Sequence, residues 1–224
     1  MLQKLHALDM EKNYQKYLKA AILVGVLFKL LLMGLFSSDY QDMMFIPFVK
    51  CFLNGENPYQ FYYDHQLLSS FPYPPVMLFV ECIGGIFVTV FSGMSVFARN
   101  LVFKLPILLM DLLGLYYLMQ IFKDKRKYIL ILYFLSPIIL YASYMHGQLD
   151  IIPTVFLVGA VYYLAETNRM AEKHFSNQWK FIIFLTLALS SKFHIAAVLP
   201  LFFLYIYKKK GRRKAVIMMG LPVL

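Results

Sequence analysis

Asp39 and Asp42 stand three residues apart in Ser38-Asp39-Tyr40-Gln41-Asp42, directly after the first long apolar segment of the chain, residues 17–36. A charged side chain at or near a bilayer is costly and marks a substrate or ion pathway. A carboxylate within hydrogen-bond reach of an acceptor hydroxyl can take its proton as a new bond forms, so Asp39 is the candidate general base. Asp42 is a candidate substrate-binding group. The two could also hold a hard cation, Mg or Mn, through oxygen ligands, although two acids are a thin ligand set. In a helical segment they would share a face. The plain alternative for each is a helix-end carboxylate in water.

Three further constellations could do chemistry. Tyr144-Met145-His146-Gly147-Gln148-Leu149-Asp150 is a polar knot between apolar runs. There His146, Gln148 and Asp150 suit sugar hydroxyls or a phosphate, with Asp150 placed to fix the imidazole tautomer; the alternative is an ordinary inter-helix turn. Lys192 and His194 lie about the middle of the apolar run 180–207, so a buried lysine there needs an anionic partner, either a phosphate or a structural carboxylate. Arg99, with Lys104, flanks Asn100 and is a candidate phosphate contact. Asp111 is a candidate partner for an embedded base. Cys51 and Cys82 give neither a disulfide framework nor a metal site.

The elements that must position these residues are apolar runs at 17–36, 75–92, 100–122, 128–145, 150–166 and 180–207. A membrane helix needs about 20 apolar residues. Tyr73-Pro74-Pro75 opens the second run with extended backbone, and Gly84-Gly85 interrupt it. The loop 37–74 holds Asp39, Asp42, Glu56 and Asp64 against Lys50; its apolar middle, Met43 to Leu53, is expected to lie as a helix in the membrane interface. Asn54-Gly55-Glu56-Asn57-Pro58-Tyr59 supplies turn chemistry. One crossing per run would put the basic clusters Lys123–Lys127 and Lys208–Lys210 on opposite sides, against the positive-inside rule. If 75–97 enters and returns on the outer side, and 180–207 is two arms broken at Ser190-Ser191-Lys192, every basic cluster is cytoplasmic. Asp39, Asp42, His146, Gln148, Asp150, Lys192 and His194 then share the outer side. Residues 1–16 read as a cytoplasmic amphipathic lead-in, 17–207 as the transmembrane module, and 208–224 as a basic loop with the start of a further, truncated helix.

Composition fixes the class. Of 224 residues 60% are hydrophobic and only 15% charged, where a soluble domain carries about 25% charged residues. The expectation is an all-α, polytopic integral membrane protein, multi-pass. The net charge of +10 falls in short clusters between apolar runs, the pattern of cytoplasmic anchors, and not in an aromatic-interleaved stripe for nucleic acid. The chain contains no Asn-x-Ser/Thr acceptor, which is compatible with a bacterial plasma membrane, the preferred location over the endoplasmic reticulum.

Taken in order, these pieces resemble the GT-C superfamily of membrane glycosyltransferases over about residues 17–210. Asp39-Tyr40, Gly55…Pro58-Tyr59, Tyr73-Pro74-Pro75 and Lys104…Asp111 are similar to the catalytic subunit of GPI mannosyltransferase I and its bacterial relatives. Pro137, His146-Gly147, Lys192 and Leu199-Pro200 look like the dolichol-linked glucosyltransferases. The resemblance implies a GT-C-like helical bundle with a long first external loop, and an inverting transfer from a polyprenyl-phosphate-linked sugar donor to a glycan, lipid or protein acceptor. It implies Asp39 as the catalytic residue. The aspartates form Asp-x-x-Asp here, not Asp-x-Asp, which leaves the hexose open between mannose-like and glucose-like. The later helices of a complete enzyme are absent from this sequence, so the resemblance makes this chain a fragment. The rival expectations are a transporter or lipid-linked-sugar flippase with a midplane site, and a non-catalytic subunit of an envelope assembly.

Overall fold

A computed structural model describes the backbone of residues 2–67, 71–91, 93–169 and 174–222, and side chains from Asn13 onward except within 167–175 and the omitted segments. The side chains through Lys12, on which the amphipathic character of 1–16 depends, lie outside the described residues, as do the last two residues of 208–224. Among the described residues every regular element is helical.

Helix α1 spans Leu2–Leu35. A π-helical turn, Tyr40–Phe45, leads into α2, Ile46–Leu53, and α3, Pro58–Asp64. Helix α4 is Pro75–Val90, α5 Val96–Phe103 and α6 Leu105–Ile121. Short α7, Arg126–Ile129, and α8, Pro137–Ile139, each run on into a π-helical turn, Leu130–Phe134 and Leu140–Met145. Among the described residues the later helices are α9, Ile151–Arg169; α10, His174–Leu189; α11, Leu199–Lys210; and α12, Arg212–Gly220.

Asn13–Leu35 and Lys123–Met145 are long and apolar enough to cross a membrane, and α5 with α6, bent by 41° at Lys104, makes a third if counted as one span. This set is smaller than the six apolar runs. Helix α4 has 16 residues, about 24 Å at 1.5 Å per residue, short of a hydrocarbon core of about 30 Å.

Local chemistry explains most of the boundaries. Pro74 is extended, with ψ 163°, and Pro75 fills the first helical position, where no N–H is needed. Asn57 caps α3 by accepting from the Tyr59 and Gln60 amides at 3.1 and 3.3 Å. The glycines of α4 do not interrupt it. A Cβ on Gly84 would lie 2.6 Å from the Phe103 carbonyl oxygen, so glycine here lets the α4 and α5 backbones touch. Helix α10 ends at Leu189, and Ser190–Lys192 form a turn before a 3-10 segment, Phe193–Val198.

The loop 37–74 is a packed structure and not a surface-lying helix. Phe45, Phe48, Tyr62, Phe71 and Tyr73 are buried with Met77 and Leu78 of α4 in one core, and the Phe48 and Phe71 rings stack with centroids 4.5 Å apart. The apolar face of α2 is thus largely covered by aromatic rings and by α4, while Met43, at the start of the stretch to Leu53, is exposed.

Two ends of the bundle differ in charge. Leu18 of α1 packs with Leu115 and Leu130, so the Lys123–Lys127 turn lies beside the N-terminal half of α1. Val155 meets Gly114, and Tyr117 meets Gly159, so α9 runs parallel to α6 toward that same end. Ile206 and Ala215 pack with Leu164 and Phe181, which brings the Lys208–Lys214 turn there too. Asp39 is at the other end of α1. Both ends of 75–97 also lie at the Asp39 end: Tyr73 is beside Lys192, and Phe97 is against Gly34.

Candidate functional site

The C-terminus of α1 and the Tyr144–Asp150 segment are joined directly. Ser38 Oγ donates to the His146 carbonyl at 2.7 Å. The Tyr40 and His146 rings meet edge to face, centroids 5.7 Å apart, and His146 also stacks on Tyr141 at 6.1 Å. Gly147 turns with φ +72°, a conformation that favours glycine, and a Cβ there would sit 3.4 Å from Gln41 Oε1. Among the described residues two of the three π-helical turns flank this junction; such turns are rare and frequent at functional sites.

The two aspartates occupy different surroundings. Asp39 is exposed, and its carboxylate has no partner among the described residues. Asp42 accepts from Arg99 Nη2 at 2.9 Å and from Ser37 Oγ. An Mg or Mn ion shared by the pair would therefore have to displace Arg99 and Ser37, and no cluster of three metal-ligating side chains exists among the described residues. The residues present do not fit such an ion.

Arg99 is tied to Asp42, with both side chains about one third exposed. Behind it, Asn100 Oδ1 accepts from Arg99 Nη2 at 3.3 Å and from the buried Gln41 Nε2 at 3.2 Å. Asp150 pairs with Lys192, and not with His146, so it does not set the imidazole tautomer. Lys192 is also not buried in mid-helix. It sits in the turn after α10 with 29% of its side chain exposed, 5.5 Å from the Tyr73 ring centroid. Gln148 is half-buried and His194 exposed, and neither side chain has a hydrogen-bond partner among the described residues. Asp39, Asp42, Arg99, His146 and Asp150 with Lys192 thus ring one end of the bundle.

Burial tunes the neighbouring phenols. Tyr59 donates to the Tyr73 carbonyl at 2.9 Å, and its own hydroxyl is pushed up to about 12 by burial. Tyr73 is also pushed up to about 12, first by burial and then by the charges of Asp150 and Glu81.

Lys29, Gln41 and Glu81 are buried polar residues that the sequence does not single out. Lys29, wholly buried in α1, pairs with Asp111 of α6, while the Tyr144 hydroxyl donates to the same carboxylate oxygen at 2.5 Å. Lys104 does not pair with Asp111. Its ammonium donates to the carbonyls of Met33, Phe36 and Tyr144 at 3.5, 2.5 and 3.0 Å. Glu81 is wholly buried with neither oxygen hydrogen-bonded among the described residues. Gln41, adjacent to Tyr40, is 1% exposed. A lysine within a 20-residue apolar run is itself a signal; nothing local in the sequence points to its partner 82 residues away.

Among the described residues the fold and the site define an all-α protein with two or three helices able to cross a membrane and a polar, ion-paired cluster at one end. No protein-family model, curated protein or solved structure matches it.

Proposed function

We propose that this polytopic, multi-pass membrane protein transfers a hexose from a polyprenyl-phosphate donor to an acceptor hydroxyl on the outer face of the membrane, with inversion at the sugar. The observation that carries this reading is the gathering of an unpaired carboxylate, Asp39, with two accessible cations, Arg99 and Lys192, around one end of the bundle. That end is opposite the basic turns, which supports an outward-facing site under the positive-inside rule. The return of 75–97 to the Asp39 end supports the same topology.

In the proposed step Asp39 takes the proton of the acceptor hydroxyl. The hydroxyl oxygen attacks the anomeric carbon from the face opposite the phosphate. The anomeric C–O bond breaks, and its electron pair leaves with polyprenyl phosphate. Arg99 and Lys192 stabilise the charge developing on that phosphate, as preorganised cations do. Each is held in the free protein by a carboxylate, Asp42 or Asp150, that phosphate oxygens would replace. His146 and Gln148 face sugar hydroxyls, and His194 stands at the rim of the Lys192 turn.

Asp39→Asn tests the base. It should lower turnover about 10²- to 10⁴-fold, the range for loss of a general base, without changing insertion; near-normal turnover overturns the assignment. A transporter is the second reading, favoured by the ion pair Lys29–Asp111 between Asn13–Leu35, a helix of membrane-spanning length, and α6, which reaches that length only together with α5. Accumulation of lipid-linked sugar on the far side of vesicles, with no transfer to acceptor, would select it.

A further inference from the structure

Tyr144 is held at three points by residues of α1 and α6 and the bend between α5 and α6. Its hydroxyl donates to Asp111 Oδ2 at 2.5 Å. Its carbonyl accepts from Lys104 Nζ at 3.0 Å, and the Lys29 ammonium lies 4.9 Å from its ring centroid. Lys29 in turn pairs with Asp111 and sits 3.4 Å over the Phe134 ring. Tyr144, Lys29 and Asp111 are each 0% exposed. A charge-assisted network of this kind, fully removed from water, fixes one arrangement, because a broken partner leaves a buried polar group unsatisfied.

The polar segment His146–Asp150 begins two residues beyond Tyr144; its His146 and Gln148 amides donate to the Tyr141 and Ala142 carbonyls at 2.8 Å, and Leu149 is buried in the main core. Its contacts to the first loop are the Ser38–His146 hydrogen bond and the Tyr40 ring edge; Asp150 is held by Lys192 at the surface. Gly147, at φ +72°, is free of the constraint that would hold another residue in one conformation. The carbonyls that hold the His146 and Gln148 amides belong to Tyr141 and Ala142, on the same helical turn as Tyr144, so the Tyr144 network is the charge-assisted anchor of the turn from which His146, Gln148 and Asp150 are placed.

We infer that Lys29, Asp111 and Tyr144 are positioning residues: through the Tyr144 hydroxyl they fix the His146–Asp150 segment in register with Asp39. The role in transfer rests on the proposed function; the positioning itself does not.

The test is cysteine labelling in detergent-solubilised full chain carrying Cys51→Ser and Gln148→Cys, with the native Cys82, 8% exposed, as an internal report of global opening. Tyr144→Phe keeps the ring and removes only the hydroxyl. It should raise labelling at 148 about tenfold, the effect of losing one hydrogen bond to a charged group, with Cys82 still protected. Unchanged labelling at 148 overturns the inference, as does a parallel rise at Cys82, which would make the network a determinant of global stability alone. In a transfer assay, Tyr144→Phe in an otherwise native chain should lower kcat about tenfold with donor KM little changed. If Asp39→Asn leaves transfer intact while labelling at 148 still rises, the proposed reaction fails and the positioning stands.

Discussion

Two kinds of ion pair divide this molecule. Lys29–Asp111 is 0% exposed on both sides and roofed by the Phe134 and Tyr144 rings, whereas Arg99–Asp42 and Lys192–Asp150 are between about a third and a half open to solvent. The inner pair has no route by which an anion could replace Asp111 without unpacking α1 from α6. The outer pairs are each one side-chain rotation from releasing a cation. The inner pair thus suits holding a shape, and the outer pairs suit exchanging a carboxylate for a ligand.

The sharpest way to break that contrast is Lys29→Met. Removing one partner of a buried pair should destabilise the protein by about 3–5 kcal/mol, read as a loss of Tm or of the denaturant midpoint in detergent. Adding Asp111→Leu with Tyr144→Phe should recover most of the loss, since apolar groups of similar volume can replace a buried ion pair and the phenylalanine leaves no buried hydroxyl unpaired; equal loss in the single and triple variants would contradict a simple charge account. For Arg99 and Asp42 a double-mutant cycle on stability should give only about 0.2–1 kcal/mol, as for solvent-accessible pairs. A coupling as large as that of the inner pair would erase the distinction. The smallest effect concerns Tyr59 and Tyr73, both pushed up to about 12 by burial from an ordinary value of about 10. Raised values mean that their contribution to stability is complete below about pH 10 and is lost as pH rises toward about 12. Tyrosinate absorbance during alkaline unfolding should show these two titrating late, and Tyr73→Phe should flatten the loss.

Helix boundaries were legible where the backbone itself is chemically constrained. Pro74-Pro75 sets the start of α4, and Asn57-Pro58 starts α3. Gly84 reads as a helix breaker in isolation, but in the fold it marks where α5 comes within contact of α4, a fact that depends on a neighbour 19 residues away. The 37–74 loop misled for a related reason: its aromatic residues look interfacial until Phe48 is seen stacked on Phe71. Of the candidate site, the residues on short loops could be named from their types. Their partners could not, since Asp150 meets Lys192 across 42 residues and Arg99 meets Asp42 across 57. Lys29 and Asp111 needed both halves of a pairing that spacing alone does not disclose.

Lys104 has an electrical consequence. An ammonium has three hydrogens and no acceptor, and the Met33, Phe36 and Tyr144 carbonyls take all three without a carboxylate in contact. Its positive charge is spread over those dipoles and faces the Asp42 carboxylate without contact, buried at the bend between α5 and α6 beneath the Asp39 end of the bundle. With Arg99 and Lys192, Lys104 balances Asp39, Asp42 and Asp150 in number, so these six residues present no net negative charge to an approaching anion.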